Sequence, residues 1–372
     1  MPTHTPLHSL AEHGQSPWID FITRRFLNGG ELAELVAAGI TGVTSNPTIF
    51  QKAIAGDELY EQQLRDLAAQ DRDPYDAFIE IACEDIRRAC DLLADTFAAS
   101  SGAGRFLEGW VSLEVDPRLA HDAERTLAEA RRLHELVDRP NLMVKIPGTA
   151  EGLEAIEAAI SMGIPVNVTL LFSLERHRAA ASAYVRGLQG LHRGGGDLSS
   201  VASVASFFVS RVDTEADRRL EEIGGHDDLK GKLAIANAKL AYQNYLEVFS
   251  RLTWEELLLA GATPQRCLWA STSTKNPEYS DVRYVEQLIG PDTVNTMPPE
   301  TVAAFRDHGR AALTLDRDLE TARNTLEAFA EAGIDYDDLV QTLEGEGVEK
   351  FADSFHQLIE SVGANRRGAV SR

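Results

Sequence analysis

The sequence predicts an α/β protein, a (β/α)8 TIM barrel with additional C-terminal helices. Short apolar, β-branched runs alternate eight times with longer segments whose apolar residues recur at helical spacing. Several of these short runs, among them MVKI and VASFFV, are apolar on both faces, which is typical of a parallel sheet covered by helices. Eight strands that alternate with helices favour a closed barrel over a doubly wound sheet.

The strands are predicted where β-branched and aromatic residues cluster between turn-forming residues. In chain order they cover residues 18–22, 42–45, 106–115, 142–146, 165–172, 204–212, 267–271 and 294–297. The helical segments between them cover residues 31–38, 75–97, 117–137, 149–161, 174–188, 214–223, 232–251 and 282–288. Two helix starts have clear N-cap signals, because Asp116 precedes Pro117 and Ser173 precedes a long amphipathic run.

The last part of the chain, from Pro299 onward, predicts only helices, over residues 300–315, 319–333 and 337–362. No Pro- or Ser-rich linker separates them from the barrel, so we expect them to dock on it rather than form a second domain. The whole chain, residues 1–372, is therefore predicted to be one domain. Its barrel core covers about residues 17–298, its docked C-terminal helices cover about 299–363, and short disordered tails lie at both ends.

Charge and cysteine content argue against several classes of function. A formal net charge of −22 makes nucleic acid or an anionic membrane surface an unfavourable partner. Cys83 and Cys90 lie seven residues apart on a predicted helix, about 10 Å, which is too far for a disulfide. No Cys/His cluster has zinc spacing, and no apolar run reaches the roughly 18 residues of a membrane span. The N-terminus has no apolar signal-peptide core, so we expect a cytoplasmic protein. Since no Cys/His cluster has metal-binding spacing, we also expect no metal ion.

The segment NLMVKIPGT, residues 141–149, places Lys145 in the middle of a predicted apolar strand. Lysine is almost never fully buried unless it is paired or used. Three interpretations are open at this point. The lysine lies on an edge strand and its amine reaches water, or it is paired with a carboxylate, or it is a desolvated amine whose pKa falls so that it attacks carbonyls.

Polar residues recur at the carboxyl ends of the predicted strands, where a (β/α)8 barrel gathers its reactive groups. Four of them could instead have a purely structural role. Asp20 and Glu114 could cap helices, Asn46 could stabilise a turn, and Thr169 could be a β-branched residue that only favours the strand. Their shared location favours an active site over these separate alternatives. In strand order, the candidates are Asp20, Asn46, Glu114, Lys145, Asn167, Thr169, Ser206, Arg211 and Ser271.

This set of groups supports Schiff-base aldol chemistry. A neutral amine attacks a ketone, and carboxyl groups move protons during imine formation and carbon–carbon cleavage. Amides and hydroxyls orient a sugar, and fixed cations hold a phosphate. Since the sequence contains no metal-ligand set, the residues disfavour a metal-dependent aldolase.

Seven motifs, in order along the chain from Trp18 to Pro298, resemble the transaldolase family. They are WID, GVTSNPTIF, SLEVDPRL, LMVKIPGTAEGLEAI, PVNVTLLFS, SFFVSRVD and LWASTSTKNP. The phrase TVNTMPPET is similar to the long bacterial form of this family, which is part of the class I Schiff-base aldolase superfamily. The resemblance implies a barrel that needs no cofactor and in which Lys145 forms the Schiff base with a ketose.

The resemblance also implies roles for the other candidates at the strand ends. Asp20 matches the acid/base aspartate of the family, and Glu114 and Thr169 match the pair that holds a catalytic water. Asn46 and Asn167 match the asparagines that bind the dihydroxyacetone part of the substrate.

The substrate phosphate site of the family is matched on the sixth and seventh strands, by Ser206, Arg211 and Ser271, with Phe208 nearby. One position departs from the family pattern. Where many members carry an arginine two residues past the serine, this chain has Ser273, and Lys275 is the expected source of that charge.

The implied reaction transfers a dihydroxyacetone unit from a ketose phosphate to an aldose phosphate in the pentose phosphate pathway. The donors are sedoheptulose 7-phosphate or fructose 6-phosphate, and the acceptors are glyceraldehyde 3-phosphate or erythrose 4-phosphate. The expected partners are these small sugar phosphates, with no nucleic acid and no membrane. The chain is expected to be a homodimer or a monomer.

The nearest alternative function is that of a fructose 6-phosphate aldolase-like lyase of the same fold. A lysine-independent phosphosugar isomerase and a non-catalytic binding barrel are alternatives from other classes.

Overall fold

The computed structural model describes residues 4–100 and 106–370, and eight parallel strands within them form a closed barrel. The strands are β1 (Gln15–Asp20), β2 (Gly42–Thr44), β3 (Trp110–Glu114), β4 (Leu142–Pro147), β5 (Val166–Leu171), β6 (Ser203–Phe208), β7 (Arg266–Ala270) and β8 (Thr293–Met297). Each strand pairs with the next along the chain, and β8 pairs with β1 to close the barrel. The predicted fold class is confirmed.

Helices cover the outside of the barrel and continue beyond the last strand. They are α1 (Pro6–Glu12), α2 (Arg24–Asn28), α3 (Glu31–Ala37), α4 (Pro47–Gly56), α5 (Glu61–Ala69), α6 (Pro74–Leu92), α7 (Ala94–Ser100), α8 (Ala123–Val137), α9 (Ala150–Ser161), α10 (Leu174–Arg193), α11 (Ser210–Ile223), α12 (Leu233–Val248), α13 (Leu252–Leu259), α14 (Arg283–Gln287), α15 (Pro299–His308), α16 (Leu319–Glu331) and α17 (Tyr336–Val370). Ser173 caps α10 as predicted, since its hydroxyl accepts a hydrogen bond from the backbone N–H of Arg176.

The sixth strand is shorter than the sequence predicts. It ends at Phe208 rather than at residue 212, because Val209 leaves the extended conformation (φ −102°, ψ −73°) and α11 begins at Ser210. Arg211, expected on the strand, therefore lies in the first turn of α11. The chain still follows β7 for two more residues, since the N–H groups of Val209 and Ser210 donate to the carbonyls of Ala270 and Ser271.

The chain ends differ from the predicted tails. Leu7 and Leu10, three residues apart on α1, are fully buried, so the N-terminal segment is part of the packed structure. At the other end, α17 continues to residue 370, beyond the predicted helix end at 362. Residues 1–3 and 371–372 lie outside the described residues. The assignment of the whole chain to one domain stays a prediction.

The long helix α17 lies across the carboxyl ends of the strands. It contacts α4, α5, α6 and α11, and it also touches β5. Polar contacts along its length include those of Arg219 with Asp338, Arg176 with Glu344, and Thr48 with Ser354. The C-terminal helical region thus docks on the barrel, and α17 covers the end where the strand-end residues lie.

The three cysteines are buried free thiols. None of the helices in residues 4–100 and 106–370 combines the length and hydropathy needed to cross a lipid bilayer. Within the same residues, no group of three or more His, Cys, Asp or Glu side chains is arranged to hold a metal ion.

Gly42 is required by the close packing between β1 and β2. A Cβ atom at this position would lie 2.5 Å from ring atoms of Trp18, which is fully buried on the neighbouring strand. We expect Gly42→Ala to lower the free energy of unfolding by about 1–3 kcal/mol, since overpacking forces buried side chains and backbone to shift. Urea unfolding followed by circular dichroism measures this change.

The matched control is Gly345→Ala on α17, where an added Cβ meets no atom within 4 Å. Alanine restricts the unfolded chain and favours the helix, so this variant is expected to gain about 0.4–1 kcal/mol. Equal stability of the two variants would contradict the packing role of Gly42.

Candidate active site

Lys145 lies inside the barrel and is paired with a carboxylate. Pairing of β4 with its neighbours places it in register with Glu114 on β3 and Asn167 on β5. Its Nζ is 3.1 Å from Glu114 Oε2 and donates a hydrogen bond to the carbonyl of Ser45, and only 6% of its side chain is exposed. The amine therefore does not reach bulk water at a strand edge. Adjacent residues in a strand face opposite sides, so the side chains of Val144 and Ile146 lie on the other face of β4 from the amine.

Glu114 is almost fully buried beside the lysine. Burial raises the pKa of its carboxyl above the usual range, while the positive charge of Lys145 acts in the opposite direction. Its alternative role as a helix cap is wrong, because Asp116 accepts the hydrogen bond that caps the 3-10 turn Pro117–Leu119. Glu114 Oε1 and the hydroxyl of Thr169 are buried without a hydrogen-bond partner among the described residues. Both are therefore available to a small polar molecule.

Asp20 ends β1 at the wall of the same site. The Thr44 hydroxyl donates a 2.6 Å hydrogen bond to Asp20 Oδ1. Burial raises the pKa of Asp20 above its usual range, and the nearby charge of Lys145 and the Thr44 hydrogen bond only partly oppose this. Asp20 is not a helix cap, since Thr23 caps α2 by accepting from the N–H of Phe26.

The two asparagines occupy different positions. Asn46 caps α4, since its Oδ1 accepts from the N–H of Ile49 at 3.0 Å, and the side-chain nitrogen is left for a ligand. Asn167 is fully buried behind the cavity wall, where its amide donates to Ser112 Oγ at 3.0 Å. Ser206 donates to Asn167 Oδ1 at 2.7 Å, which groups it with the lysine end of the site. This differs from its expected place in a phosphate site with Arg211.

A cavity of about 250 Å³ opens at the carboxyl ends of the strands. Two candidates, Glu114 and Asn167, lie behind its wall, next to Lys145. The others line it: Asp20, Asn46, Lys145, Thr169, Ser206, Phe208, Arg211, Ser271 and Lys275. The structure thus brings all the predicted residues to one end of the barrel.

Aromatic rings and hydroxyls surround Arg211 at the outer part of this cavity. The guanidinium carbon lies 5.2 Å from the centre of the Phe208 ring and 5.7 Å from that of Phe351. Ser271 has a positive φ of 57°, and its hydroxyl lies 2.8 Å from that of Ser210. A backbone strain of this kind often accompanies functional sites.

Several cavity residues are not predicted from the sequence. Some belong to α4, where the sequence predicts neither a helix nor a strand, and others to α17, for which the sequence predicts docking on the barrel but no particular position. A signal exists, because the chain has only seven lysines and four of them line this cavity. The additional lining residues are Thr44, Thr48, Ile49, Lys52, Ala270, Ser273, Thr296, Pro298, Glu300, Lys350 and Phe351.

Comparison with known proteins finds similarity over nearly the whole chain. The family described as Transaldolase/Fructose-6-phosphate aldolase matches residues 17–362. A transaldolase of Parafrankia sp. is 52% identical over 370 residues, covering 98% of this chain and 99% of its own length. A transaldolase of Thermobifida fusca is 52% identical over 96% of this chain and 97% of its own length. For a transaldolase of Mycolicibacterium smegmatis the identity is 47%, with 97% of each chain covered.

Removal of the Thr44 hydroxyl is expected to change the pKa of Asp20. In Thr44→Val the ionised carboxylate loses a donor, so we expect the pKa of Asp20 to rise further. Carbon-13 NMR titration of the carboxyl groups in the wild type and the variant measures this shift.

The control is Thr48→Val, which lines the same cavity but donates to Ser354 on α17 instead. It is expected to leave the pKa of Asp20 where it is in the wild type. An unchanged or lower pKa in Thr44→Val would show that this hydroxyl does not stabilise the ionised carboxylate.

Proposed function

Because the chain belongs to the transaldolase/fructose-6-phosphate aldolase family, we propose that it is a transaldolase, which moves a dihydroxyacetone unit from a ketose phosphate to an aldose phosphate. The observation that carries this proposal is the Lys145 amine, 3.1 Å from the Glu114 carboxylate. This pair lies at the inner end of a cavity that has Asp20 on its wall and cations at its rim. Such a site supplies a nucleophile, two proton-transfer groups and a place for an anion.

Imine formation is the task of Lys145, Glu114 and Thr169. Glu114 accepts a proton from the ammonium, and its burial, which raises its pKa, makes it a stronger base than an exposed carboxylate. The neutral amine attacks the C2 carbonyl of the ketose, and the resulting carbinolamine loses water to form an iminium. Glu114 Oε1 and the Thr169 hydroxyl are suited to hold the water that moves these protons.

Carbon–carbon cleavage is the task of Asp20. Its carboxylate removes the proton of the C4 hydroxyl, the C3–C4 bond breaks, and the electron pair moves into the iminium to give an enamine on Lys145. The first aldose phosphate then leaves. The enamine carbon attacks the aldehyde of a second aldose phosphate, and Asp20 returns the proton to the new hydroxyl. Hydrolysis of the imine releases the product ketose and restores the amine.

The remaining residues position the two ends of the sugar. Asn46 and Ser206, which line the cavity, bind the dihydroxyacetone hydroxyls near Lys145, and Asn167 holds Ser206 in position from behind the cavity wall through a 2.7 Å hydrogen bond. Arg211, Ser271 and Lys275 are placed to bind the phosphate farther out. The donors are sedoheptulose 7-phosphate or fructose 6-phosphate, and the acceptors are glyceraldehyde 3-phosphate or erythrose 4-phosphate. The cytoplasmic location and the choice between monomer and homodimer stay predictions from the sequence.

Product analysis with and without an acceptor tests the transfer. With fructose 6-phosphate and erythrose 4-phosphate, we expect sedoheptulose 7-phosphate as the main product, measured by chromatography and mass spectrometry. Without an acceptor, turnover is expected to stop after the enamine forms. Free dihydroxyacetone as the main product in both reactions would identify a lyase instead.

The pH profile of the transfer rate tests the two buried carboxyl groups. As pH falls, we expect the rate to decline at a higher pH than it would with exposed carboxylates, because the raised pKa values of Asp20 and Glu114 mean that these groups are protonated earlier.

Borohydride reduction separates the imine step from the cleavage step. With fructose 6-phosphate and borohydride, the wild type is expected to carry a three-carbon adduct on Lys145, detected by peptide mass spectrometry. Lys145→Met removes the amine and is expected to carry no adduct. Asp20→Asn keeps the amine but loses the base, so we expect an intact six-carbon adduct and a transfer rate about 10²–10⁴-fold lower. An adduct on Lys145→Met, or a three-carbon adduct on Asp20→Asn, would refute these roles.

A further inference from the structure

Four cations without ion-pair partners surround the outer part of the cavity. Lys52, Lys275 and Lys350 are exposed lysines at its rim, and Arg211 is half-buried beside them. In the described part of the chain, none of the four has a carboxylate oxygen within 4.0 Å, whereas many other arginines do. On a chain with a net charge of −22, such a group of unpaired cations indicates an anion-binding position. Two carboxylates are near these cations: Glu300 lines the cavity, and the negative charge of Glu346 attracts the Arg211 guanidinium.

The position of Lys350 follows from the close approach of α17 to Arg211. A Cβ atom at Gly347 would lie 3.6 Å from Arg211 Nη1 and 3.1 Å from a methyl carbon of Leu170, so the helix backbone passes directly beside the arginine. Lys350 and Phe351 follow three and four residues later, which places them on the same face of α17. That face is the one turned toward the cavity, since both residues line it.

Phe351 lies between the two charged ends of the site. Its ring centre is 5.7 Å from Lys145 Nζ and 5.7 Å from the Arg211 guanidinium carbon. The cavity is thus divided into an inner part, with the reacting amine, and an outer part, with the cations. Lys350 is adjacent to Phe351 in the chain and belongs to the outer part.

The cations of the outer part repel one another. The positive charge of Arg211, together with partial burial and the charges of Lys275 and Lys52, lowers the pKa of the Lys350 amine. Lys275 already donates a 2.7 Å hydrogen bond to Ser273. A bound dianion between Arg211 and Lys350 would replace this repulsion with attraction.

We propose that Lys350, which α17 brings to the barrel mouth, binds the substrate phosphate opposite Arg211 and thereby sets the specificity of the site for phosphorylated sugars. The proposal rests on the proposed function, because the phosphate is that of the ketose donor and the aldose acceptor. The dihydroxyacetone end of the donor is bound inside the barrel, and Lys350 acts only on the opposite end.

Steady-state kinetics of Lys350→Met tests this role. We expect the KM for fructose 6-phosphate to rise about tenfold with little change in kcat, as for the loss of one charge-assisted hydrogen bond. The constant for competitive inhibition by inorganic phosphate is expected to rise by a similar factor. Lys350→Arg retains the charge and should restore both values. The matched control is Lys232→Met, an exposed lysine outside this cavity, which should match the wild type.

A second readout separates phosphate binding from damage to the helix or the amine. Dihydroxyacetone has no phosphate, so borohydride trapping with it should be equally fast in the wild type and in Lys350→Met. An unchanged KM and an unchanged phosphate inhibition constant would overturn the proposal. So would slower trapping with dihydroxyacetone, since the lysine would then act at the reacting end.

Failure of the proposed function itself is recognised separately. If the wild type forms no borohydride adduct, the Schiff-base reaction is wrong, and the role of Lys350 is decided by calorimetric titration with inorganic phosphate. Weaker phosphate binding in Lys350→Met than in the wild type supports the anion site, and equal binding refutes it.

Discussion

The buried ion pair between Lys145 and Glu114 is the constraint on which the rest of the site depends. Two opposite charges inside a barrel lose their hydration, and their attraction offsets this loss only when the atoms are held close together. The pairing of β3 with β4 holds them, because Glu114 and Lys145 are register partners on neighbouring strands. A slip of one residue in either strand would turn one of the two side chains to the opposite face of the wall. The closed barrel, which leaves no free strand edge, prevents such a slip.

The enclosure that holds these groups close together also disfavours the charged forms of the carboxyl groups. Burial raises the pKa of both Asp20 and Glu114, and the positive charges and hydrogen bonds around each carboxylate oppose this rise. The Thr44 hydroxyl does this for Asp20, and Lys145 does it for both carboxylates. The surrounding apolar core, with Trp18, Trp110 and Trp269 fully buried, stabilises the fold that contains this arrangement.

The inner half of the site could be predicted from the sequence, and the outer half only in part. The strands that carry the inner residues are marked by short apolar runs in the sequence, so the ends of these strands could be predicted. Their carboxyl ends meet at one end of any (β/α)8 barrel, which brings together Asp20, Glu114, Lys145 and Thr169. Arg211 is misplaced on a strand, because nothing in SFFVSRVD marks the change to helix at Val209. Lys350 and Phe351 could not be placed, since the direction in which α17 crosses the barrel is decided by distant contacts such as those of α17 with β5 and α11.

The cavity is assembled from residues between Asp20 in the first strand and Phe351 in the last helix. Its contacts are therefore among the least local in the molecule, and they form only after distant parts of the chain have come together. During synthesis, all eight strands emerge from the ribosome before α17 does. A barrel that has closed without this helix has its buried lysine in place but lacks the wall formed by Phe351.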